Sequence, residues 1–520
     1  MGSMSASKPT LGVIATIRSL SLLQIVGCTL IAFIARFILR GIYRVYFHPL
    51  RRFPGPRLSA FTRLPHVIAT STGTSHFYAE RLHQQYGDVV RISPDELSFV
   101  NVNAWRDVHG HGPKEGPGSP PPKFFKWYQK LPGGVDAIIT QEDPKLHAKQ
   151  RKVFLPAFSD RALTQQAPLF TKYADKLVQV LRDSSQEGKA VDLVRMLNFT
   201  TFDVMGDLSF GESLHMLDNA EYDPWVSIVK IIFGAVKVSS RVSILNACYP
   251  IAAAVVRMLF KKRVESVALE HMAHSRTRVI KRLEGGRESE GSDIWSLVLQ
   301  SENKAGALSE AEMISNAQLF MTAGTETTAT LLSGLTYMLL TPAGAASMRR
   351  LKEEVRGAFP SSDHITMEAI QALPFLNACL KEGLRLYPPV PIAIPHRTPA
   401  QGSTICGFYV PPETTVGVPH YAMYRSPKMF KQPLDFIPER WTGDDRFATD
   451  ERAALQPFSF GPRDCLGKNM AYHEMRLILA KVVYNFDLEL CAESRGWMDH
   501  KVYSLWEKGP LMVKVKPASF

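Results

Sequence analysis

A long, mostly apolar stretch from Asn316 to Leu340 is typical of a buried helix. Its centre, residues 323–328, reads Ala-Gly-Thr-Glu-Thr-Thr and is polar. Hydroxyls and a carboxylate in an apolar helix need hydrogen-bond partners or water, because burying an unpaired polar group is costly. The residues alone leave two interpretations. Either the threonines bond back to carbonyls four residues earlier in a core helix, or the polar centre has a function.

A second apolar stretch, free of charge, runs from Ser19 to Ala35 between Arg18 and Arg36. It lies at the short end of what spans a bilayer, and extension to Leu39, with Arg36 snorkelling to the interface, would lengthen it. Positive residues are denser after it than before it, so the positive-inside rule places the rest of the chain in the cytosol. A cleaved signal peptide is the competing interpretation, but its apolar core would be shorter and followed by small residues.

Behind this stretch, a basic segment leads to Pro54-Gly55-Pro56, which indicates a stiff connection. We predict a membrane anchor at 1–40, a basic and proline-rich hinge at 41–60, and one body at 61–520. With 520 residues, 45% of them hydrophobic, the chain can bury a large core. No Ser/Gly-rich linker in the sequence separates a second domain.

The net charge bears on the binding partners of the protein, and the cysteine content bears on its redox compartment. The net charge is +12, but the positive residues are distributed and form no stripe with interleaved aromatics, so we exclude nucleic acid as a partner. Six cysteines without a close pair are expected in a reducing compartment and argue against a disulfide framework.

Two shorter patterns place charged residues on one helix face. If Pro144 opens a helix, His147 and Arg151 stand at i and i+4, and an exposed basic helix is the simplest interpretation. Glu382 and Arg385 stand at i and i+3, and taken alone they indicate a surface ion pair worth less than about 1 kcal/mol.

One cysteine lies in an unusual loop. Cys465 belongs to the sequence Phe-Ser-Phe-Gly-Pro-Arg-Asp-Cys-Leu-Gly at 458–467, and no second cysteine is close enough to form a CxxC metal site. A lone ligating thiolate suggests haem, and Gly461 and Gly467 would let the backbone approach a flat macrocycle. From residue type alone, a small buried cysteine in a turn is the alternative.

The pattern Phe-x-x-Gly-x-Arg-x-Cys-x-Gly, from Phe458 to Gly467, resembles the cysteine loop of the cytochrome P450 family of haem-thiolate monooxygenases. The polar helix centre, Glu-x-x-Arg at 382–385 and Pro-Glu-Arg at 438–440 resemble further landmarks of that family, in its order. The resemblance covers nearly the whole chain from the hinge onward. It implies a mainly α fold with small β-sheets and an N-terminal transmembrane anchor helix, and haem b with Cys465 as its axial thiolate and metal ligand.

The resemblance also implies roles for individual residues. Ala323 and Gly324 would line a groove for dioxygen, Thr327 would hydrogen-bond dioxygen, and Glu326 would help to relay protons. Glu382, Arg385 and Arg440 would brace the cysteine loop without a chemical step. The loop's Phe458, Gly461 and Gly467 would contact the cofactor, and the haem propionates would be held by His147, at a position where Trp is commoner, and by Arg151, Arg397 and Arg463.

The implied substrate is an apolar small molecule. By family position its pocket would be lined by 124–139, 225–238, 318–327, 390–394 and 503–506. Electrons would come from NADPH through a flavoprotein, NADPH-cytochrome P450 reductase, with cytochrome b5 as an optional second partner. An acidic partner of this kind would be steered by basic residues around the thiolate face. The candidates for that patch are Arg440, Arg463, Lys468 and Lys481.

The expected activity is insertion of one oxygen atom from O2 by hydroxylation or epoxidation. Residues 91–99 and 198–203 resemble filamentous-fungal members that modify terpenoid, polyketide or alkaloid secondary metabolites. The expected location is the endoplasmic reticulum membrane, single-pass, with the catalytic domain in the cytosol. Two alternatives stay open: a haem-thiolate isomerase or dehydratase independent of reductase, against which the intact Ala-Gly and Glu-Thr pairs argue, and a non-catalytic membrane haem-binding protein. The substrate is not determined by the sequence.

Overall fold

The computed structural model describes residues 21–112, 119–125, 135–221, 250–285, 293–301 and 308–519. Within them the fold is mainly helical with small sheets, as predicted. The helices are α1 (Leu22–Tyr46), α2 (Arg57–Phe61), α3 (Leu64–Thr72), α4 (Ser75–Tyr86), α5 (Pro144–Phe154), α6 (Asp160–Gln186), α7 (Leu193–Phe210), α8 (Met216–Asn219), α9 (Pro250–Glu284), α10 (Ile294–Ser301), α11 (Glu310–Leu340), α12 (Ala345–Ala358), α13 (Pro374–Leu386), α14 (His420–Tyr424) and α15 (Lys468–Asn485).

Within the described ranges the strands form four small sheets. They are β1 (Val89–Ser93), β2 (Glu96–Phe99), β3 (Val191–Asp192), β4 (His396–Arg397), β5 (Ser403–Ile405), β6 (Phe408–Val410), β7 (Thr415–Gly417), β8 (Phe486–Leu490), β9 (Lys501–Tyr503), β10 (Leu505–Glu507) and β11 (Met512–Pro517). The orders are β1-β2-β7-β4, β3-β11-β8, and the two pairs β5-β6 and β9-β10. Strands β2 and β7 pair in parallel, with Leu97 opposite Val416.

The central helix α11 confirms the helix predicted from the apolar stretch, but it begins six residues earlier. Ser309 caps it: its hydroxyl accepts the backbone N–H of Glu312, and the Glu312 carboxylate accepts the Ser309 N–H at 2.8 Å. This capping box satisfies two backbone donors that the first helical turn leaves without partners. The hydrophobic period alone could not place the start, because a polar cap precedes the first apolar residue.

Two glycines let neighbouring elements approach α11 closely. A Cβ atom at Gly324 would lie 2.6 Å from Met205 Sδ on α7, and one at Gly334 would lie 2.3 Å from a ring carbon of Tyr387. Real Cβ atoms do not tolerate such distances, so a larger residue at Gly334 would push against the Tyr387 ring, and one at Gly324 would require the Met205 side chain to move. The close packing fixes α11 against α7 and against the chain after α13.

Helix α1 is apolar and almost wholly exposed, and by length and composition Val26–Tyr46 is a candidate membrane span. Its carboxyl end packs on the body: the Phe37 and Phe61 rings are 5.5 Å apart, and Arg91 Nη1 donates to the Arg44 carbonyl at 2.9 Å. The division into 1–40, 41–60 and 61–520 stays a prediction, and residues 1–20 lie outside the described part of the chain.

Candidate active site

The Cys465 loop is closed by backbone hydrogen bonds. The Cys465 N–H donates to the Phe458 carbonyl at 2.9 Å, and the Asp464 N–H to the Gly461 carbonyl at 3.1 Å. Gly461 has a φ of 80°, and a Cβ there would lie 2.0 Å from the carbonyl oxygen of His109. Only glycine fits this position, because the backbone is left-handed and another backbone segment fills the space. Gly461 therefore lets the loop approach the His109 backbone. A Cβ atom added at Gly467 would meet no atom within 4 Å, so there is open space beside this residue.

The thiol of Cys465 is accessible to solvent, although protein surrounds it on most sides. Burial raises its pKa, and the Gly467 backbone N–H, which points at the sulfur, acts in the opposite direction. Helix α15 begins three residues later, at Lys468, and a helix N-terminus favours a nearby thiolate. A metal ion bound to the sulfur would complete the deprotonation, since a coordinating thiol loses its proton.

Helix α11 is buried over most of its length, but one face opens at its centre. Ala323 is exposed, and Leu319, Thr322, Glu326 and Thr327, at helical spacing around it, are partly exposed. Met321 and Thr325, on other faces of the same two turns, are fully buried. The side chains of this face are therefore accessible at the centre of a helix that is buried elsewhere. Gly324 is placed differently, since its Cβ position points at Met205.

The threonines of this centre do bond back to the helix. Thr325 Oγ1 donates to the Met321 carbonyl and Thr327 Oγ1 to the Ala323 carbonyl, both at 2.7 Å. These two hydroxyls therefore donate their protons to the helix backbone, as the core-helix interpretation expects. It does not exclude a function for Thr327, because the oxygen of a donating hydroxyl keeps its lone pairs and can still accept a hydrogen bond.

The Glu326 carboxylate is turned toward the carboxyl-terminal part of the chain. It forms an ion pair with Lys508 Nζ, and Thr330 Oγ1 lies 3.5 Å from its Oε1. The Lys508 side chain is 3% exposed and that of Glu326 is 18% exposed. Lys508 belongs to no motif, although it lies two residues after the predicted pocket segment 503–506.

A group of basic side chains lies beside the Cys465 loop. Burial lowers the pKa of His147 to about 4, with Arg463 and Lys123 next in effect. Burial also lowers the pKa of His396 to about 4 and that of Lys123 to about 8, and Arg463 contributes to both shifts. These basic groups lower one another's pKa values because their positive charges repel. A bound anion would reduce that repulsion. The group therefore fits the propionate carboxylates of a haem.

Two predicted propionate ligands point elsewhere. Arg397 Nε and Nη2 donate to Glu413 Oε2 at 2.9 and 2.8 Å. The preceding residue on β4, His396, faces the basic group instead, because successive side chains of a strand point to opposite faces. Arg151 forms an ion pair with Asp464, and its Nη1 donates to the Asp464 carbonyl at 2.8 Å, so it ties α5 to the loop.

His396 and Lys123 belong to no predicted motif. His396 adjoins Arg397, and Lys123 follows three prolines at 120–122, so a signal existed only in their proximity to predicted segments. The two residues form a β-bridge, and His396 hydrogen-bonds the Pro121 carbonyl at 2.7 Å. Arg463 is also held, with Nη1 donating to the Gln141 carbonyl at 2.8 Å.

The Glu-x-x-Arg pair is buried, so the surface-pair interpretation is wrong. Arg385 Nε and Nη2 donate to the two Glu382 oxygens at 2.9 and 2.8 Å, and Arg440 Nε donates to Glu382 Oε1 at 3.1 Å. All three side chains are 0% exposed. Burial opposes ionisation of Glu382, but Arg385 and then Arg440 outweigh it and lower the pKa of this carboxyl. Trp441 Nε1 adds a hydrogen bond at 2.9 Å.

The predicted basic patch needs correction. Arg440 and Lys481 are buried, Arg440 in the network above and Lys481 in an ion pair with Asp175. A buried charge needs a partner because its desolvation is costly. Side chains that are buried and paired in this way cannot contribute to a docking surface. Lys468 is exposed and Arg463 is partly buried. Lys468 shares a surface groove beside Phe458 with two further exposed basic residues, Lys381 and Arg452.

The predicted pocket segments are only partly described. Residues 225–238 and 126–134 lie outside the described part of the chain. The described end of the 124–139 segment is attached to α11: Ser315 Oγ donates to the Val135 carbonyl at 3.0 Å, and the Ile138 N–H donates to Asn316 Oδ1 at 2.9 Å. These two bonds hold the segment over the helix upstream of its open face.

A cysteine loop with an accessible thiol, a basic group suited to carboxylates and an open helix face define a haem-thiolate type of protein. The family model for cytochrome P450 matches residues 54–515, so the chain belongs to the cytochrome P450 family. A cytochrome P450 monooxygenase, efuB, from Hormonema carpetanum is 42% identical over 486 residues, 93% of this chain and 94% of that protein. The cytochrome P450 monooxygenase FUM2 from Gibberella moniliformis is 41% identical over 481 residues, 92% of this chain and 100% of that protein.

A third relative, the cytochrome P450 monooxygenase AMT3 from Alternaria alternata, is 41% identical over 475 residues, 91% of this chain and 95% of that protein. Membership of the family together with these relatives makes this chain a monooxygenase enzyme. It also implies a haem-thiolate cofactor, O2 as co-substrate and a need for redox partners.

Proposed function

We propose that this enzyme inserts one oxygen atom from O2 into an apolar small molecule, by hydroxylation or epoxidation, in the biosynthesis of a fungal secondary metabolite of terpenoid, polyketide or alkaloid type. The observation that carries the proposal is the open face of α11, where Ala323 is exposed beside Thr327 and Glu326 in an otherwise buried helix. An isomerase, a dehydratase or a haem-binding protein has no need for a proton-relaying pair at this place.

The cofactor is haem b. Cys465 would bind its iron as a thiolate, and Lys123, His396, His147 and Arg463 would hold the propionates. When bound, the haem supplies activation of O2 and transfer of one oxygen atom, which a thiolate ligand promotes by donating electron density. The chain supplies position and protons: Thr327 Oγ1 accepts a hydrogen bond while it donates to Ala323, and Glu326 carries protons from the protein interior.

Replacing Lys123 with Met should accelerate haem loss by at least about tenfold, because a charge-assisted hydrogen bond contributes about 1.5–3 kcal/mol. Arg397→Met should change haem loss by less than about threefold, since Arg397 is engaged with Glu413. The measurement is the rate of haem transfer from the full-length protein to excess apomyoglobin. The reverse order, with Arg397→Met the faster, would restore Arg397 as the propionate ligand.

The redox partner is NADPH-cytochrome P450 reductase, with cytochrome b5 as an optional second donor. It docks at the surface groove lined by Lys381, Arg452 and Lys468, which adjoins Phe458 of the cysteine loop. An acidic partner would be attracted to three exposed cations at a rate that falls with salt. The proposed location is the endoplasmic reticulum membrane, single-pass, with the catalytic domain in the cytosol. The exposed apolar helix α1 supports this placement.

The test uses the full-length protein in lipid nanodiscs. Reduced under carbon monoxide, it should show the Soret band of a thiolate-ligated haem, and a band at the position of a His-ligated haem would contradict the ligand assignment. Oxygen consumption should require both NADPH and reductase and should decline as salt rises. Conversion of a substrate without NADPH or reductase would favour the isomerase or dehydratase.

The substrate is best approached by comparison of hosts. A host that expresses the chain and an empty host are fed candidate terpenoids, polyketides and alkaloids, and their products are compared. A product heavier by one oxygen atom that is found only with the chain would identify the substrate class. A product of unchanged mass, or one lighter by water, would count against a monooxygenase reaction on that compound.

A further inference from the structure

The ion pair between Lys508 and Glu326 joins the centre of α11 to the turn between β10 and β11. Lysine is almost never fully buried unless it is paired, because its charge is costly to desolvate. The Lys508 ammonium contacts both the Glu326 carboxylate and Thr330 Oγ1, one turn further along the same helix. Glu326 stands next to Thr327, whose hydroxyl opens on the exposed face.

The backbone that carries Lys508 is fixed in place. Trp506, two residues earlier on β10, donates from Nε1 to the Pro388 carbonyl at 2.7 Å and stacks on Tyr387 with ring centroids 4.5 Å apart. On the other side, the Gly509 N–H lies 3.4 Å from His500 Nε2. A lysine on a fixed backbone holds its partner in one place, since little conformational freedom is left to lose.

Two titratable groups near the pair, His500 and Tyr387, are neutral near pH 7, and the carboxylates of Asp499 and Glu507 also lie near His500. Burial lowers the pKa of His500 to about 4, and Lys508 adds to the shift. Burial raises the pKa of Tyr387 well above its usual range, and its hydroxyl is 2.9 Å from His500 Nδ1. Lys508 is consequently the cation that neutralises Glu326.

We propose that Lys508 is a positioning residue for oxygen activation, which holds the Glu326 carboxylate in the ion pair and directed away from Thr327. This inference rests on the proposed function. Without Lys508, the Glu326 carboxylate would lose the cation that holds it and would be free to rotate toward the open face.

The experiment compares Lys508→Met, Lys508→Arg, Glu326→Gln and the double variant Lys508→Met/Glu326→Gln, as haem-loaded full-length proteins. The control is Lys514→Met, the same substitution at an exposed position of β11. The first readout is the thermal unfolding midpoint, which does not depend on turnover. The second is the fraction of consumed O2 that is released as hydrogen peroxide, with NADPH and reductase present; each NADPH then reduces one O2 to H2O2.

We expect Lys508→Met and Glu326→Gln each to lower the midpoint, and the double variant to lower it by less than the sum, since both single changes break one pair. Peroxide release should rise severalfold in Lys508→Met. In Lys508→Arg it should lie close to the value of the unmodified chain, because arginine restores the cation. In the double variant it should be no higher than in Glu326→Gln. Lys514→Met should match the unmodified chain in both readouts.

Additive midpoints would overturn the pairing. Non-additive midpoints with unchanged peroxide release would reduce Lys508 to a structural residue and overturn the proposal. If the unmodified chain consumes no O2 with NADPH and reductase, the proposed function fails, and the midpoints alone then decide whether Lys508 holds Glu326.

Discussion

Replacing Glu382 with Gln should lower the free energy of unfolding by about 3–5 kcal/mol, because it leaves the fully buried Arg385 guanidinium without its counter-ion and leaves Arg440 with Asp450 as its one carboxylate partner. Glutamine keeps the size of the side chain but supplies one acceptor oxygen where the carboxylate supplies two. Arg385 also holds the carbonyls of Tyr424, Pro433 and Asp435, so an unpaired charge there strains the segment that leads toward the cysteine loop.

The measurement is the denaturant midpoint of the full-length protein, together with the yield of haem-loaded material. Glu439→Gln is the matched control, since Glu439 neighbours Arg440 but pairs with Arg350 at the surface, at 3.4 Å. An exposed pair contributes about 1 kcal/mol or less. Equal midpoints for the two variants would show that the buried network carries no special share of stability.

Cys465→Ala should abolish the thiolate signature of the reduced carbon monoxide complex and reduce reductase-supported oxygen consumption to background. Alanine leaves no ligand for iron, whereas the accessible position of Cys465 means that little packing is lost. The protein should therefore stay folded while it loses haem. Cys465→Ala should therefore remove haem ligation without unfolding the protein, whereas Glu382→Gln should lower the stability of the fold.

The spectrum of each purified variant and its haem-to-protein ratio check this expectation. Cys491→Ala is the control, because Cys491 lies after β8 and belongs to no proposed site. It should retain the signature and the haem content. A Cys465→Ala variant with an unchanged spectrum would remove Cys465 as the axial ligand.

Several parts of the site could be predicted because they are local in sequence. The cysteine loop, the Glu-x-x-Arg turn and the polar centre of α11 each lie within about ten residues, so their chemistry is visible before the chain folds. The helix of His147 and Arg151 was likewise predicted from Pro144, which is its first residue. What such patterns cannot give is the partner that each side chain finds.

The basic residues beside the cysteine loop illustrate this limit. The family resemblance points to Arg397 and not to His396, whereas strand β4 turns His396 toward Lys123 and Arg463 and turns Arg397 toward Glu413. The direction of two successive side chains depends on how β4 pairs with β7 and with residue 123, which are far apart in sequence. A shift of one residue in that register would exchange their roles.

Burial is the second quantity that local patterns do not supply. Arg440 and Lys481 read as surface cations, but each is enclosed and paired, with Glu382 and with Asp175. Lys508 is buried against Glu326 from a turn more than 180 residues later in the chain. Charged residues are exposed by default, so only the contacts made in three dimensions identify the exceptions.

The amino-acid sequence by itself determined the family, the mainly helical fold, the cysteine loop and the polar centre of the buried helix. It did so because each depends on residue types at short spacing. The tertiary structure alone decided which basic residues surround the loop, that the Glu382 network is buried, and that Glu326 is held by Lys508. Those outcomes depend on strand register and on desolvation by distant segments, and neither is encoded in any short stretch of the chain.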